Sequence, residues 1–233
     1  SVCKPGLEAV AESTPGENRI FQLYVRGDDA WVDDFVTRAI AANFTAFCMT
    51  VDLDHYGRRE RDIAKGHMST SRRTMADNED FQKSLSWDHV KRFKDKHDIP
   101  LILKGIATAE DAGRAVELGV DGIYVSNHGG RQLDHSRGGA DVLPEVVDVV
   151  GGKAQIIVDG GFMRGADVVK AMALGADVAQ GAHAEAVVGH QGDDGRPGDH
   201  DRNEAEVARP QRSRKDQQGA ELHGGAGREA LEP

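Results

Sequence analysis

The stretch PLILKGIATAEDAGRAVELGVDGIYVSN, residues 100–127, decides the predicted fold. It opens with the apolar run PLILKGI (Pro100–Ile106), which is typical of a buried parallel strand, and closes with a second such run, DGIYVSN. Between them, TAEDAGRAVELG reads as a helix that begins with a threonine cap and acidic first turn and ends at Gly119. Strand, helix and strand in this order predict a βαβ unit with parallel strands.

The same alternation extends over residues 20–181. Further strands are predicted for IFQLYV (Ile20–Val25), TAFCMTVD (Thr45–Asp52) and QIIVDGG, with a candidate sixth strand at Asp177–Gln180. Helices are predicted for WVDDFVTRAIAANF, for SWDHVKRFKDKHD with Ser86 as its N-cap, for PEVVDVVGG and for GADVVKAMALG. The opening SVCKPGLEAVAES resembles the end of an earlier strand and the helix after it, so we expect the chain to begin part-way through its fold.

An open doubly wound sheet and a closed barrel both fit this alternation. The barrel is favoured because nearly every strand ends in polar or glycine-rich residues, whereas a doubly wound sheet concentrates them at one switch point. These strand ends are Asp52, Lys104-Gly105, Ser126-Asn127-His128 and Asp159-Gly160-Gly161. We therefore expect a (β/α)8 TIM barrel, incomplete, with about its last six strands present.

The composition excludes several classes of function. A net charge of −10 argues against nucleic acid as the main partner, and no run approaches the ~20 apolar residues of a membrane span. The two cysteines lack metal-ligand spacing, and Cys48 lies in an apolar run that predicts a buried, reduced thiol. The histidines near the C-terminus lack ligand spacing too, so we expect no metal site. A cytoplasmic protein is the default expectation.

Residues 182–233 differ from the rest. No aromatic residue follows Phe162, and the segment has no apolar period, so it cannot bury enough surface to offset its ordering entropy. We predict two parts: a partial barrel over 1–181 and a low-complexity, disordered tail over 182–233. One hypothesis is that this tail is a wrong-frame translation of GC-rich DNA.

The strongest chemical signal is VSNHGGRQLD, residues 125–134. It places the imidazole of His128 and the guanidinium of Arg131 at a strand end. An imidazole can accept a proton from an alcohol, and a guanidinium can hold a carboxylate with two parallel hydrogen bonds. A histidine beside glycine in a loop is, taken alone, more often structural, so the motif must be weighed with others.

Five motifs together resemble one family. FQLYV, TVD followed by GRRERD, LKGIATAEDA, VSNHGGRQLD and VDGGFMRGADVVKAMALGA occur here in the order typical of FMN-dependent 2-hydroxy-acid oxidases and dehydrogenases. That family includes glycolate and lactate oxidases and mandelate dehydrogenase. The resemblance covers residues 1–181, and GIYVSNHGGRQLDH and DGGFMRG are also similar to its mycofactocin-associated subgroup. It implies oxidation of a small L-2-hydroxy acid to the 2-oxo acid, with FMN as cofactor and often a tetrameric assembly.

The resemblance also implies a role for each substrate-facing residue. His128 corresponds to the base that takes the hydroxyl proton while the α-hydrogen passes to the flavin, and Asp52 to the carboxylate that orients this histidine. Arg59 and Arg131 correspond to the pair that holds the substrate carboxylate. Tyr24 corresponds to a phenol that hydrogen-bonds the substrate oxygen. Taken alone, Tyr24 could equally pack, and Arg59 belongs to what would normally be a solvated charge cluster.

A second group corresponds to the cofactor site. Lys104 matches the cation beside flavin N1 and O2, where charge gathers on reduction. Polar contacts to the ring and ribityl chain are expected from Gln22, Thr50 and Ser126, and the phosphate region is expected at Asp159, Gly160, Gly161 and Arg164. The family usually has two arginines where this chain has Met163-Arg164, and a Gly-Arg pair where it has Gly181-Ala182, so phosphate ligands are expected to be missing.

Alternatives remain at this level. Residues 66–80 fall where the family carries a lid, and an ordinary loop fits them equally well. A non-catalytic fragment that binds no flavin is the rival from another class. A different phosphate-binding barrel, such as an isomerase or a purine-nucleotide dehydrogenase relative, is a third interpretation, against which the His128–Arg131 pair argues.

Overall fold

The computed structural model describes residues 5–54, 57, 59–67, 79–133 and 135–181. Its strands are β1 Ile20–Leu23, β2 Ala46–Thr50, β3 Leu101–Ile106, β4 Gly122–Val125, β5 Gln155–Val158 and β6 Val178–Ala179. Its helices are α1 Leu7–Ser13, α2 Asp29–Ala41, α3 Glu60–Ala64, α4 Glu79–Lys83, α5 Trp87–Lys96, α6 Ala109–Glu117, α7 Gly139–Val150 and α8 Gly165–Ala173. A short 3-10 turn covers His128–Gly130.

The six strands form one sheet in the order β1-β2-β3-β4-β5-β6, and every neighbouring pair is parallel. The predicted strands are confirmed, including the sixth. In the described part of the chain, the buried helical residues pack together with one face of the sheet. Sequential parallel strands with helices on one face are the arrangement of a (β/α)8 barrel, whereas a doubly wound sheet has helices on both faces.

The two faces of the sheet bury different side chains. Phe47, Leu103 and Val125 point to the helices and belong to the large core cluster. Cys48, Ile102, Tyr124 and Ile157 form a separate cluster on the opposite face, to which no helix of the described chain contributes a buried residue. Cys48 is free and buried, which confirms the predicted thiol. This second face corresponds to the interior of the barrel.

Local sequence signals explain where the helices begin. Asp28 and Thr108 cap α2 and α6 by accepting the backbone N–H three residues on, at 2.9 and 3.1 Å. Ser86 precedes α5 as predicted. Helix α7 starts at Gly139, five residues before Pro144, and is therefore longer at its N-terminus than the predicted PEVVDVVGG segment. That proline gives up one backbone hydrogen bond within the helix.

Several predictions fall outside the described residues. They are the tail 182–233, most of the candidate lid, Asp134 and Cys3. No helix within the described ranges has the length and apolar character to cross a membrane.

Candidate active site

A cavity of about 390 Å³ opens at the carboxyl ends of the strands. This size lies within the ~300–1,000 Å³ of small-molecule sites. Its walls are Gln22, Tyr24, Lys104, His128, Gly129, Arg131, Asp159, Gly160, Gly161, Gln180 and Gly181. Nine of these lie in four of the five motifs quoted above, so the fold brings together residues that are far apart in the sequence.

His128 and Asp52 form a hydrogen-bonded pair at this cavity. Nδ1 of His128 lies 3.0 Å from Oδ1 of Asp52, and each side chain is 14% exposed. A carboxylate accepts, so Nδ1 carries the proton and Nε2 is free to act as an acceptor. Oδ2 of Asp52 is buried and has no hydrogen-bond partner among the described residues. The pair therefore has the arrangement of a general base and its orienting carboxylate.

Gly105 makes room for Asp52. The β3–β4 register shifts between Lys104 and Ile106, and Gly105 is the extra residue of this irregularity, with φ +111°. A Cβ at this position would lie 2.6 Å from Cβ and Cγ of Asp52. The glycine of the LKG motif is thus required both by its backbone conformation and by the approach of the carboxylate.

The loop that carries His128 is held in an unusual conformation. His128, Gly129 and Gly130 have positive φ values of 57°, 66° and 66°. Asn127 fixes this turn from both sides, because its Oδ1 accepts from Gly130 N and its Nδ2 donates to Arg137 O, each at 3.0 Å. A non-glycine residue with positive φ is strained, and such strain gathers at functional sites. The sequence analysis named Asn127 only as part of a polar strand end and assigned it no role in the turn, although asparagine before glycine is a known turn signal.

Lys104 is a cation with little exposure on the cavity wall. Only 7% of the residue is exposed. Its Nζ donates to Ser126 Oγ at 3.1 Å, lies 3.6 Å from Asp159 Oδ2 and sits 5.3 Å from the centre of the Tyr124 ring. The Tyr124 hydroxyl donates in turn to Gln180, a contact that the sequence patterns did not reveal. A buried ammonium with a single carboxylate at this distance is suited to a further anionic partner.

Other predicted residues line or support the same cavity. Gln22 donates to Thr50 Oγ1 at 3.0 Å, and Thr50 is fully buried. Ser126 also accepts from His128 N at 3.1 Å, which ties the histidine loop to Lys104. The rings of Tyr24 and His128 lie 6.1 Å apart between centres.

The three predicted arginines are placed differently. Arg131 is exposed and lines the cavity. Arg59 is half-buried immediately before α3, and Arg164 is exposed immediately before α8. Neither is among the residues that line the cavity. The backbone N–H of Arg164 donates to Asp167 at 3.0 Å. The substrate role of Arg59 and the phosphate role of Arg164 stay predictions.

No group of three or more histidine, cysteine, aspartate or glutamate residues that could hold a metal ion occurs within the described ranges. The Asp159–Gly161 turn contributes two glycines with positive φ and a buried carboxylate oxygen.

Comparison with known proteins gives consistent results. The model of the family described as FMN-dependent dehydrogenase matches residues 1–195. An L-lactate oxidase of Lysinibacillus sphaericus is 40% identical over 196 residues, 73% of this chain and 51% of that protein. A peroxisomal (S)-2-hydroxyacid oxidase of Arabidopsis thaliana is 43% identical over 176 residues, 68% of this chain and 48% of that protein. This chain thus spans about half the length of these relatives.

A solved structure of mandelate oxidase with (S)-2-phenylpropionate is similar at a TM-score of 0.68 and 41% identity. The match covers 78% of this chain and 53% of that one. The likeness therefore extends to the fold as well as to the motifs.

Proposed function

The chain belongs to the FMN-dependent dehydrogenase family, and from this premise we propose that it takes part in oxidising a small L-2-hydroxy acid to the 2-oxo acid. The observation that carries the proposal is the hydrogen-bonded His128–Asp52 pair, which shares one cavity with Lys104 and Arg131. A base, an anion-binding guanidinium and a buried cation are the groups that the protein itself would contribute to this reaction.

The residues present fit FMN. Lys104 offers a nearly buried positive charge, and Asp159 has an Oδ1 that is buried without a hydrogen-bond partner among the described residues. Gly161 has φ +79° and open space where a Cβ would stand, so a ligand can approach the backbone there. We propose that Gln22, Thr50, Lys104 and Ser126 hold the ring and ribityl chain, and that Asp159, Gly160, Gly161 and Arg164 hold the phosphate end.

FMN, when bound, would supply the acceptor for the α-hydrogen and the two electrons that leave the substrate. In this proposal, Nε2 of His128 removes the proton of the substrate hydroxyl. Asp52 keeps the imidazole in the required tautomer and stabilises the imidazolium that results. Lys104 would place a positive charge where negative charge would gather on the reduced cofactor.

The substrate is held by its carboxylate. Arg131 and Arg59 are proposed to grip it, since a guanidinium fits the two oxygens of a carboxylate with parallel hydrogen bonds. Tyr24 is proposed to donate its hydroxyl to the substrate oxygen beside His128, which the closeness of the two rings supports.

We also propose the organisation inferred from the sequence: a partial barrel over 1–181 and a separate, disordered tail over 182–233. A cytoplasmic location and a homo-oligomer, a tetramer by family resemblance, belong to the same proposal. Limited proteolysis with mass spectrometry tests the division, and cleavage confined to residues below 181 contradicts it.

The test of function starts from colour. We expect the purified chain, incubated with FMN, to retain the yellow absorbance of a bound flavin. Lactate, glycolate or mandelate added without air should bleach it, and the His128→Ala variant should stay yellow. A wild-type chain that remains colourless favours the alternative, an inactive piece of such an enzyme that binds no flavin.

A further inference from the structure

Two loops of the candidate site meet at one contact that no motif assigns a role. The loop after β2 contains Gly57 and leads to Arg59. The loop after β4 contains Arg131 and Gln132. The backbone N–H of Gly57 donates to Oε1 of Gln132 at 3.1 Å, across 75 residues of sequence. The two loops that carry the proposed carboxylate-binding arginines are therefore joined directly.

Gln132 is buried, unlike its immediate neighbours in the chain. It is 8% exposed, whereas Arg131 before it and Leu133 after it are exposed. Burying an amide side chain is unfavourable unless it is hydrogen-bonded, so the bond to Gly57 has a structural consequence. The side chain spans the space between the loops, where its acceptor oxygen satisfies the backbone of the other loop.

Gly57 fits closely against the same loop. A Cβ at Gly57 would lie 2.3 Å from the carbonyl oxygen of Arg131 and 2.9 Å from that of Gln132. Both atoms belong to the backbone and cannot swing away as a flexible side chain would. Glycine is thus required at position 57 because the two backbones touch there, and any larger residue would force the loops apart.

We propose that Gln132 and Gly57 form a junction that sets the position of Arg59 relative to Arg131, which makes Gln132 a positioning residue for the substrate carboxylate. The inference rests on the proposed function of the two arginines. Arg131 adjoins Gln132 in the chain, and Arg59 lies two residues after Gly57 at the start of α3. A displacement of one loop against the other changes the separation of the guanidiniums, and so weakens their joint hold on the two oxygens of the substrate carboxylate.

Three variants test the junction. Gln132→Met keeps the volume and removes the acceptor, Gln132→Glu keeps an acceptor for Gly57, and Gln155→Met makes the same change at an exposed glutamine. For Gln132→Met we expect a KM for the hydroxy acid about tenfold higher or more, with kcat altered less than about threefold. Gln132→Glu should recover most of the affinity, and Gln155→Met should match the wild-type chain.

The same variants distinguish positioning from plain destabilisation. FMN affinity should be equal in all of them, because neither Gly57 nor Gln132 is among the described residues that line the cavity with Lys104. The inference is overturned if Gln132→Met leaves KM unchanged, or if kcat and FMN affinity both fall while KM rises. Amide exchange gives a further readout, since the Gly57 N–H should exchange faster in Gln132→Met than in Gln132→Glu.

Failure of the proposed function is separable from failure of this inference. Oxalate, a dicarboxylate that resembles the substrate, can be titrated by calorimetry into the FMN-treated chain without any turnover. Oxalate binding that weakens about tenfold in Gln132→Met and not in Gln155→Met supports the junction, even where no oxidation occurs. Equal binding by both variants, or no binding by the wild-type chain, overturns it.

Discussion

Two aspartates of this molecule each contact a histidine, but they differ in what else they bind. Asp33, on α2, lies 2.8 Å from Nε2 of His97 and also accepts from Arg92 at 2.6 and 3.1 Å and from Lys96 at 2.6 Å. All three partners belong to or directly follow α5. Both oxygens of this carboxylate are thus occupied by cations or hydrogen-bond donors, and the cluster joins one helix to another.

Asp52 has one such partner. Its Oδ1 contacts His128, and its Oδ2 is buried with no hydrogen-bond partner in the described part of the chain. The exposed fractions of the two carboxylates are similar, 18% and 14%. The two carboxylates therefore do not differ in burial but in how many of their oxygens have a partner. We call Asp33 saturated because both of its oxygens have partners, and Asp52 unsaturated because its Oδ2 has none among the described residues. A saturated carboxylate stabilises a helix pair, whereas an unsaturated one beside an imidazole has capacity left for a charge that develops during a reaction.

The largest expected effect is a difference in kcat between variants of the two histidines, His128 and His97. His128→Ala in the flavin-loaded chain removes the proposed base, and we expect kcat to fall by about 10³- to 10⁴-fold. His97→Ala removes one of several partners of Asp33 and should leave kcat within about threefold. Anaerobic bleaching rates at saturating substrate measure both. Equal rate losses in the two variants would contradict the assignment of roles.

Substitution of Asp52 should mainly lower kcat, whereas substitution of Asp33 should mainly lower the free energy of unfolding. Asp52→Asn keeps the shape but loses the charge that stabilises an imidazolium, so we expect kcat to fall about 10²-fold with little change in stability. Asp33→Asn removes the carboxylate that pairs with Lys96 and leaves Arg92 only its contact with Asp29, and we expect the free energy of unfolding to fall by about 1–3 kcal/mol. Denaturant titration and steady-state rates on both variants measure the split. A large stability loss in Asp52→Asn alone would reverse the comparison.

The Asp33 cluster should also affect how the stability of the chain depends on pH at acid pH. Hydrogen bonds from Arg92, and then from Lys96 and His97, hold the pKa of Asp33 well below its usual range, although burial opposes this. A lowered pKa contributes stability that is complete above the unfolded value of about 3.9 and is lost as pH falls towards the folded value. The stability advantage of wild type over Asp33→Asn should therefore be constant from pH 7 to 5 and shrink below about pH 4. Thermal unfolding at pH 7, 5 and 3 measures it, and an advantage at pH 3 as large as the advantage at pH 7 contradicts the account.

Sequence reasoning found the elements for local physical reasons. PLILKGI and DGIYVSN are apolar on both faces, and Thr108 and Gly119 bracket the helix between them, so strand and helix could be read within a few residues. The convergence of Lys104, His128 and Asp159 followed from one rule, that parallel strands end at the same edge. The structure places all three on the cavity wall.

Other features could not be read in this way because they depend on contacts across the fold. Asp33–His97 and Asp52–His128 are separated by 64 and 76 residues, and nothing in either spacing tells the saturated pair from the unsaturated one. The need for glycine at 57 arises only where two loops touch. Arg164 was expected at the phosphate on its motif, while the cavity is lined without it.

The smallest effect is expected at Cys48, which lies on the cavity side of the sheet but in the apolar cluster with Ile102 and Ile157. Burial raises the pKa of its thiol to about 12, although Lys104 acts in the opposite direction. Since the thiolate is the reactive form, Cys48 should resist iodoacetamide at pH 8 in the native chain and react once it is unfolded. Cys48→Ala should leave kcat within about twofold and lower the free energy of unfolding by about 1 kcal/mol. Peptide mapping after alkylation locates the reaction. Rapid labelling of Cys48 in the native chain would mean that this face of the sheet is open to solvent. Water would then also reach the second carboxylate oxygen of Asp52, and that oxygen could not stay without a hydrogen-bond partner.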